Sequence, residues 1–376
     1  MNTLDYIRRY GKVTFEQKEF TEIDNIIFCL LSYVNYNGIV STNIKNKMTI
    51  KQVRDFYYKM YDLNNINKEM LSVRNGIKIL DMISRTRRYK DLLVYNYTYI
   101  GDASQQFSAI TFEINPKLVY VAFEGTDHLI SGWEEDFKMT YLFPVNAHND
   151  AIKYLNKNFS FRNCNIIVGG HSKGGNLALV SSMYCNFFIH KKILKVYNND
   201  GPGLRQEQLE SKHYNHIQDK LIHIIPNYSI VGLFLKHNDD YKVIKSDRKG
   251  LFAHDAMTWQ IDDDKFLIAN LSKFSRVLDK GFLIWLDKYD DSKKKEFVDC
   301  IFEIFKKNNI NSVIEIMESN KLILTLLKET INMDPIVKEM LKDLITILRQ
   351  CNKEEETFLV EKNKINCNYF IKKKSL

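Results

Sequence analysis

A chain of 376 residues, 45% hydrophobic and 12% aromatic, can bury a large core and is neither a disordered nor a low-complexity chain. Its net charge of +8 comes from 54 basic residues interleaved with 46 acidic ones, which reads as a solvated surface: no nucleic-acid partner is expected, and weak membrane-surface contact through the tail residues Lys372, Lys373 and Lys374 is the minority reading. The segment from Met1 to Arg9 has no uninterrupted apolar stretch and no run reaches bilayer-spanning length, so a cytoplasmic protein is expected.

In chain order, the first hundred residues read as largely helical. Asp24 is the capping residue of an apolar run to Tyr33, and 49–61 and 68–89 carry apolar residues at spacings of three and four. Two strands follow, 107–114 and 117–123, joined by a tight Asn115-Pro116 turn. Then come a helix over 132–139, a helix over 150–159 and an apolar strand at 166–168. Further strands are expected at 193–199, 221–225 and 241–245, the first broken by Asp200-Gly201-Pro202-Gly203 and the second by Pro226. Strands alternating with helices predict an α/β fold with a mostly parallel sheet covered on both faces.

From Lys265 onward only helices are expected, over 266–289, 293–307, 310–318, 322–331 and 335–349, with a disordered charged end at 352–376. A polar break at Asp290-Asp291-Ser292 divides residues 1–290, the sheet domain with its N-terminal helices, from a C-terminal all-helical region, 291–376. The six cysteines (Cys29, Cys164, Cys185, Cys300, Cys351, Cys367) have no metal-ligand spacing and read as reduced thiols, and no metal or other cofactor is called for.

The chemistry converges on Ile166 to Val180. Gly170-His171-Ser172-Lys173-Gly174 fits G-x-S-x-G, a turn so tight that the positions flanking the serine at a distance of two must lack side chains. An apolar strand before it and a small, apolar, helix-favouring segment after it make the match more than a chance one. Ser172 is the candidate nucleophile, and the backbone amide of Lys173, at the helix N-terminus, is a candidate donor to an oxyanion. The Lys173 side chain is expected to face solvent, and His171 to pack beside the turn.

Acyl transfer by serine also needs a base and a group that orients it, in the chain order Ser, acid, His. Of the histidines after Ser172, His190, His213 and His216 belong to helical surface segments and His223 to a strand. His254 alone follows the last strand in a loop, which makes it the candidate base. For the acid, Asp200 closes a strand and precedes a sharp turn; Asp239, Asp240 and Asp247 also precede His254 and remain open. Trp133 and Trp259 are expected in the core or a pocket wall.

Phe123-Glu124-Gly125-Thr126, the Gly132-to-Phe137 segment and the elbow resemble the pattern of class 3 lipases. With Gly11-to-Phe15, Asp24-Asn25, Leu31-Ser32-Tyr33, Tyr197-to-Gly203 and His254-Asp255 to Trp259, the chain more closely resembles the Mbeg1-like family of α/β-hydrolase-like proteins, over roughly 5–265. The resemblance implies an α/β-hydrolase-like fold with Ser172 as nucleophile, His254 as base and the amides of Thr126 and Lys173 as the oxyanion hole. It also implies a small-molecule or lipid ester as substrate. The chain departs from the lipase pattern at Glu124, where lipases have arginine, and at Ser229, which stands at the lipase position of the acid. Either Asp200 supplies the carboxylate, completing a serine ester hydrolase, or the triad is incomplete and the protein is a slow or inactive hydrolase-fold binding or scaffold module.

Overall fold

Side chains along the central strands alternate between two faces, and that alternation organises the molecule. Val119, Val121 and Phe123 pack on one face with Ile166, Val168 and Val196, while Tyr120, Ala122, Ile167 and Tyr197 pack on the other. The computed structural model describes residues 1–61, 66, 69–101, 106–126, 130–238, 241–310, 312, 329 and 333–374, with backbone alone for 131 and 358–374.

The sheet is β1 (Met48–Thr49), β2 (Leu93–Gly101), β3 (Gln106–Asn115), β4 (Leu118–Phe123), β5 (Asn165–His171), β6 (Ile193–Asn199), β7 (Leu221–Pro226) and β8 (Lys242–Ile244), side by side in chain order. Pairing is antiparallel from β1 to β4 and parallel from β4 to β8. Four helices precede or interrupt the early strands: α1 (Thr3–Tyr10), α2 (Glu22–Leu31), α3 (Ile50–Met60) and α4 (Leu71–Ile83). Between the parallel strands lie α5 (Ile130–Lys138), α6 (Asn146–Phe159), α7 (Lys173–Tyr184) and the short α8 (Phe187–His190), α9 (Gln206–Leu209) and α10 (Lys212–Asn215). The chain continues through α11 (Lys273–Lys288), α12 (Asp291–Lys307) and α13 (Pro335–Lys374).

Right-handed crossovers that all step in the same direction deliver their helices to one face of a sheet. Here α6 and α7 do so, burying Ala151, Leu155, Leu177 and Ala178 against β4, β5 and β6. The other face is covered by helices that arrive before the first parallel strand: Ile26, Ile27, Phe28 and Ile79 share a cluster with Phe112, Tyr120 and Ile224. A buried ion pair fixes this layer. Asp24 accepts from Arg88 Nη2 at 2.6 Å and from Nε at 2.9 Å, and both side chains are wholly buried.

The C-terminal helices pack on the α5 side. Trp285, Phe302, Val337 and Met340 share a cluster with Ile130, Met139 and Leu235, and the Phe137 ring meets Phe302 at 5.7 Å. Asp290 caps α12 by accepting from the Lys293 amide at 2.9 Å. Among the described residues no helix is long and apolar enough to cross a membrane.

Several local expectations are corrected. Residues 93–101 are not helical but form β2, whose register shifts between Tyr95 and Thr98 around Asn96 at φ 59°, so its period of two is interrupted. Strands do occur near Lys265: β9 (Ile261–Asp262) and β10 (Lys265–Phe266) form a small hairpin, and α11 starts only at Lys273, capped by Ser272. The N-cap of α2 is Thr21, with Asp24 as the third helical residue of a capping box. The end expected to be disordered continues the α13 backbone to Lys374. The helices expected over 310–318 and 322–331 lie almost entirely outside the described residues, as do the side chains of Lys372, Lys373 and Lys374.

Candidate active site

Ser172 joins β5 to α7 at φ 58° and ψ −136°, a left-handed backbone that costs a non-glycine residue about 1–3 kcal/mol and persists only where the surroundings impose it. The surroundings here are backbone on backbone. A Cβ on Gly170 would lie 2.1 Å from Gly174 C and O, and one on Gly174 would lie 2.2 Å from Phe123 O. A Cβ on Gly125 would lie 2.4 Å from His171 O and 3.0 Å from Ser172 Cβ, so the chain leaving β4 toward Thr126 runs directly against the serine. Lys173 opens α7, where amides have no acceptor within the helix and the dipole is positive.

One strand along, Asp200 follows β6 at φ 49° and is completely buried. Its turn is held by Asn198, whose Oδ1 accepts from Gly201 N at 3.0 Å and whose Nδ2 donates to Gly201 O and Pro202 O at 3.2 Å. The carboxylate divides its work. Oδ1 accepts from the Ser229 hydroxyl and from Gly232 N at 3.1 Å, while Oδ2 lies 2.6 Å from His254 Nδ1. Nδ1 therefore donates to the carboxylate, which selects the tautomer whose Nε2 carries the lone pair. Ser229, which the lipase resemblance sets at the position of the acid, hydrogen-bonds Asp200, which reaches over from β6. Among the described residues the Ser172 hydroxyl has no hydrogen-bond partner, so the joint between Ser172 and His254 is open.

His254 ends a short 3-10 turn, Gly250–His254, and its side chain is 21% exposed. His171 ties that turn to the elbow. Its Nε2 lies 2.8 Å from His254 O and must donate, so Nδ1 accepts from the Tyr33 hydroxyl at 2.9 Å. The two imidazoles face each other at 4.5 Å. Burial, with the neighbouring His254 adding to it, pulls the His171 pKa down to about 3, in keeping with a neutral ring. Trp259 is core and closes the back of the turn, donating Nε1–H to Ala253 O at 2.9 Å.

The other side of the serine holds buried charge. The Lys173 side chain does not face solvent as expected: it is 1% exposed, pairs with Glu135 of α5 and donates to Gln106 O at 3.0 Å. The next residue of α5, Asp136, accepts from Thr126 Oγ1 at 2.8 Å through Oδ2. Its Oδ1 is buried with no partner among the described residues. Burial raises the Asp136 pKa to about 7, against the opposing pull of Lys173.

Of the residues singled out in the sequence, Ser172, Asp200, His254, Thr126 and Lys173 therefore gather at the carboxyl ends of β4 to β8, where open α/β sheets hold their sites. Asp247 is exposed and accepts from Gln260 instead, and Asp239 and Asp240 lie outside the described residues. Sequence reasoning missed Tyr33, Glu135 and Asp136 as parts of the site. The only signal for them was their place inside the motifs Leu31-Ser32-Tyr33 and Trp133 to Phe137.

A mostly parallel sheet with a serine on a strained strand-to-helix turn, and with acid and histidine on later loops, defines an α/β-hydrolase-like protein. The family model described as Mbeg1-like matches residues 83–303, and the chain belongs to that family. The match begins at the end of α4 and stops within α12, leaving out most of the N-terminal helical layer and all of α13. No curated protein matches the chain. Among solved structures, the crystal structure of M37 lipase is similar at 14% identity and a TM-score of 0.32, over 57% of this chain and 70% of that one.

Proposed function

We propose that the protein is a serine hydrolase of acyl esters, with a small-molecule or lipid ester as substrate. Ser172 Oγ attacks the ester carbonyl as its proton passes to His254 Nε2, and Asp200, bound to Nδ1, holds the imidazole in that tautomer and stabilises the cation. The amides of Thr126 and Lys173 receive the oxyanion. The alcohol leaves with the proton from Nε2, and water then releases the acid by the same route in reverse. The observation that carries this reading is the 2.6 Å contact between Asp200 and His254 beside a serine held at positive φ. The open joint between Ser172 and His254 fits a resting enzyme, since catalytic hydrogen bonds commonly tighten only once substrate is bound.

A fluorophosphonate probe tests the reading. The folded chain should be labelled on Ser172, the Ser172→Ala variant should not, and p-nitrophenyl esters of graded chain length should be cleaved only by the former. Folded protein that resists the probe and cleaves none of the esters would instead support a binding or scaffold module built on a hydrolase fold.

A further inference from the structure

No acidic residue occurs between Asp150 and Asp200, a stretch that includes Lys157, Arg162, Lys191 and Lys195. Chance alone makes such a gap unusual in a chain with 46 acidic residues among 376. Within it lie two turns at the amino edge of the sheet: the turn between α6 and β5, and the segment containing α8 before β6. They are bound into one surface. Asn186 donates from its amide to Asn156 Oδ1 at 2.9 Å and from Nδ2 to Ser160 Oγ at 2.6 Å, and Lys192 Nζ donates to Phe159 O and Ser160 O at 2.8 and 2.9 Å.

Several apolar side chains on and beside these turns face water. Phe161 is 100% exposed, Phe187 62%, Phe188 65% and Leu194 47%. Phe187 and Phe188 meet edge to face at 6.2 Å, and Lys191 Nζ lies 4.4 Å from the Phe187 ring centre. Lys157, Lys191 and Lys195 are exposed around them. Nearby carboxylates do little to offset this charge: Glu113 is buried between Lys47 and Arg162, and Asp219 is followed by Lys220, whose ammonium binds His190 O at 2.8 Å. Aromatic tips ringed by lysines match the boundary of a lipid layer, where rings enter the headgroup region and ammonium groups reach the phosphates.

We infer that the amino edge of the sheet, through Phe161, Phe187, Phe188 and the surrounding lysines, docks on an anionic membrane surface. The site at the carboxyl edge lies one strand length away, about 20 Å for seven residues. The docked protein therefore presents Ser172 to the aqueous side, and docking does not depend on the proposed hydrolysis.

Co-sedimentation of the full chain with phosphatidylcholine vesicles, with and without phosphatidylglycerol, tests this. The protein should pellet with the anionic vesicles, weakly with the neutral ones, and less as salt is added. Combining Phe161→Ser, Phe187→Ser and Phe188→Ser should lower the bound fraction at least about tenfold, since each ring supplies buried apolar area. The melting temperature and any esterase activity should stay unchanged. The single Phe161→Ser variant, with a smaller loss, serves if the triple variant does not fold. Undiminished pelleting of the variants would overturn the inference by placing the contact elsewhere, as on the C-terminal lysines. So would a wild-type chain that ignores vesicles but forms a dimer in gel filtration that the variants abolish.

Discussion

The two sides of Ser172 are built from opposite materials. Toward β6 and beyond stand Asp200, His254, His171 and Tyr33, a chain of hydrogen bonds in which one carboxylate accepts from three donors and the His171 imidazole stays neutral. Toward α5 stand Lys173, Glu135 and Asp136, ionisable groups withdrawn from water, with one carboxylate oxygen unpartnered among the described residues. In the proposed mechanism the first side carries the proton. The second locks α5 to the N-terminus of α7 and so fixes the backbone around Thr126. The difference teaches that rate and stability should separate by side, even though both sides touch the same turn.

The largest separation is expected at Asp200. Asp200→Asn should lower kcat about 10⁴-fold, because an amide can hold the wrong imidazole tautomer and cannot balance the cation. Its melting temperature should move little, since Asn can keep the bonds from Ser229 and Gly232. An active Asn variant would remove the carboxylate from the proposed mechanism. Lys173→Met should do the reverse: removing one partner of a buried ion pair typically costs about 3–5 kcal/mol. Denaturant unfolding should show that loss, and pairing the change with Glu135→Leu should restore most of it. A Lys173→Met variant as stable as the parent would end the view of this side as a lock.

His171 sharpens the comparison because it belongs to the first side yet touches no reacting atom. His171→Phe keeps the ring but frees the His254 turn, and misplacement of this kind can cost up to about 10²-fold in kcat. The loss should come with an altered pH profile for His254, and with KM little changed. The smallest effect is expected at Asp136. Its pKa is raised in the folded state to about 7, so the stability it contributes is full at low pH and is lost as pH rises from about 4 through about 7. Asp136→Asn should remove that loss, so the variant's melting temperature relative to the parent should be higher at pH 8 than at pH 5. Equal differences at both values would mean the group titrates normally.

The parts of the fold that could be read in the sequence are those whose signal is local. The elbow announces itself through two glycines and a serine between an apolar strand and a helix. The parallel strands show as short apolar runs with turn residues at their ends. By contrast β2 hides behind its bulge at Asn96, which puts the alternation out of phase. Lys173 looked like any surface lysine because its partner lies 38 residues earlier on another element. The pairing of Asp200 with His254 was one of several options, since nothing local distinguishes a turn aspartate from one whose second oxygen is reserved for a loop 54 residues on. Even Ser229, which looked like a missing acid, makes sense only once Gly232 and Asp200 are seen to close around it.

The strand order has a consequence for how the chain assembles. Every strand from β2 to β8 pairs with the one completed just before it, and none must be inserted between two that are already joined. As the polypeptide leaves the ribosome, α1 to α4, with the two-residue β1 among them, emerge first and offer an apolar bed, and each later strand adds to a growing edge. Synthesis and folding can then advance in the same direction, with one growing edge instead of a half-built sheet waiting for its middle.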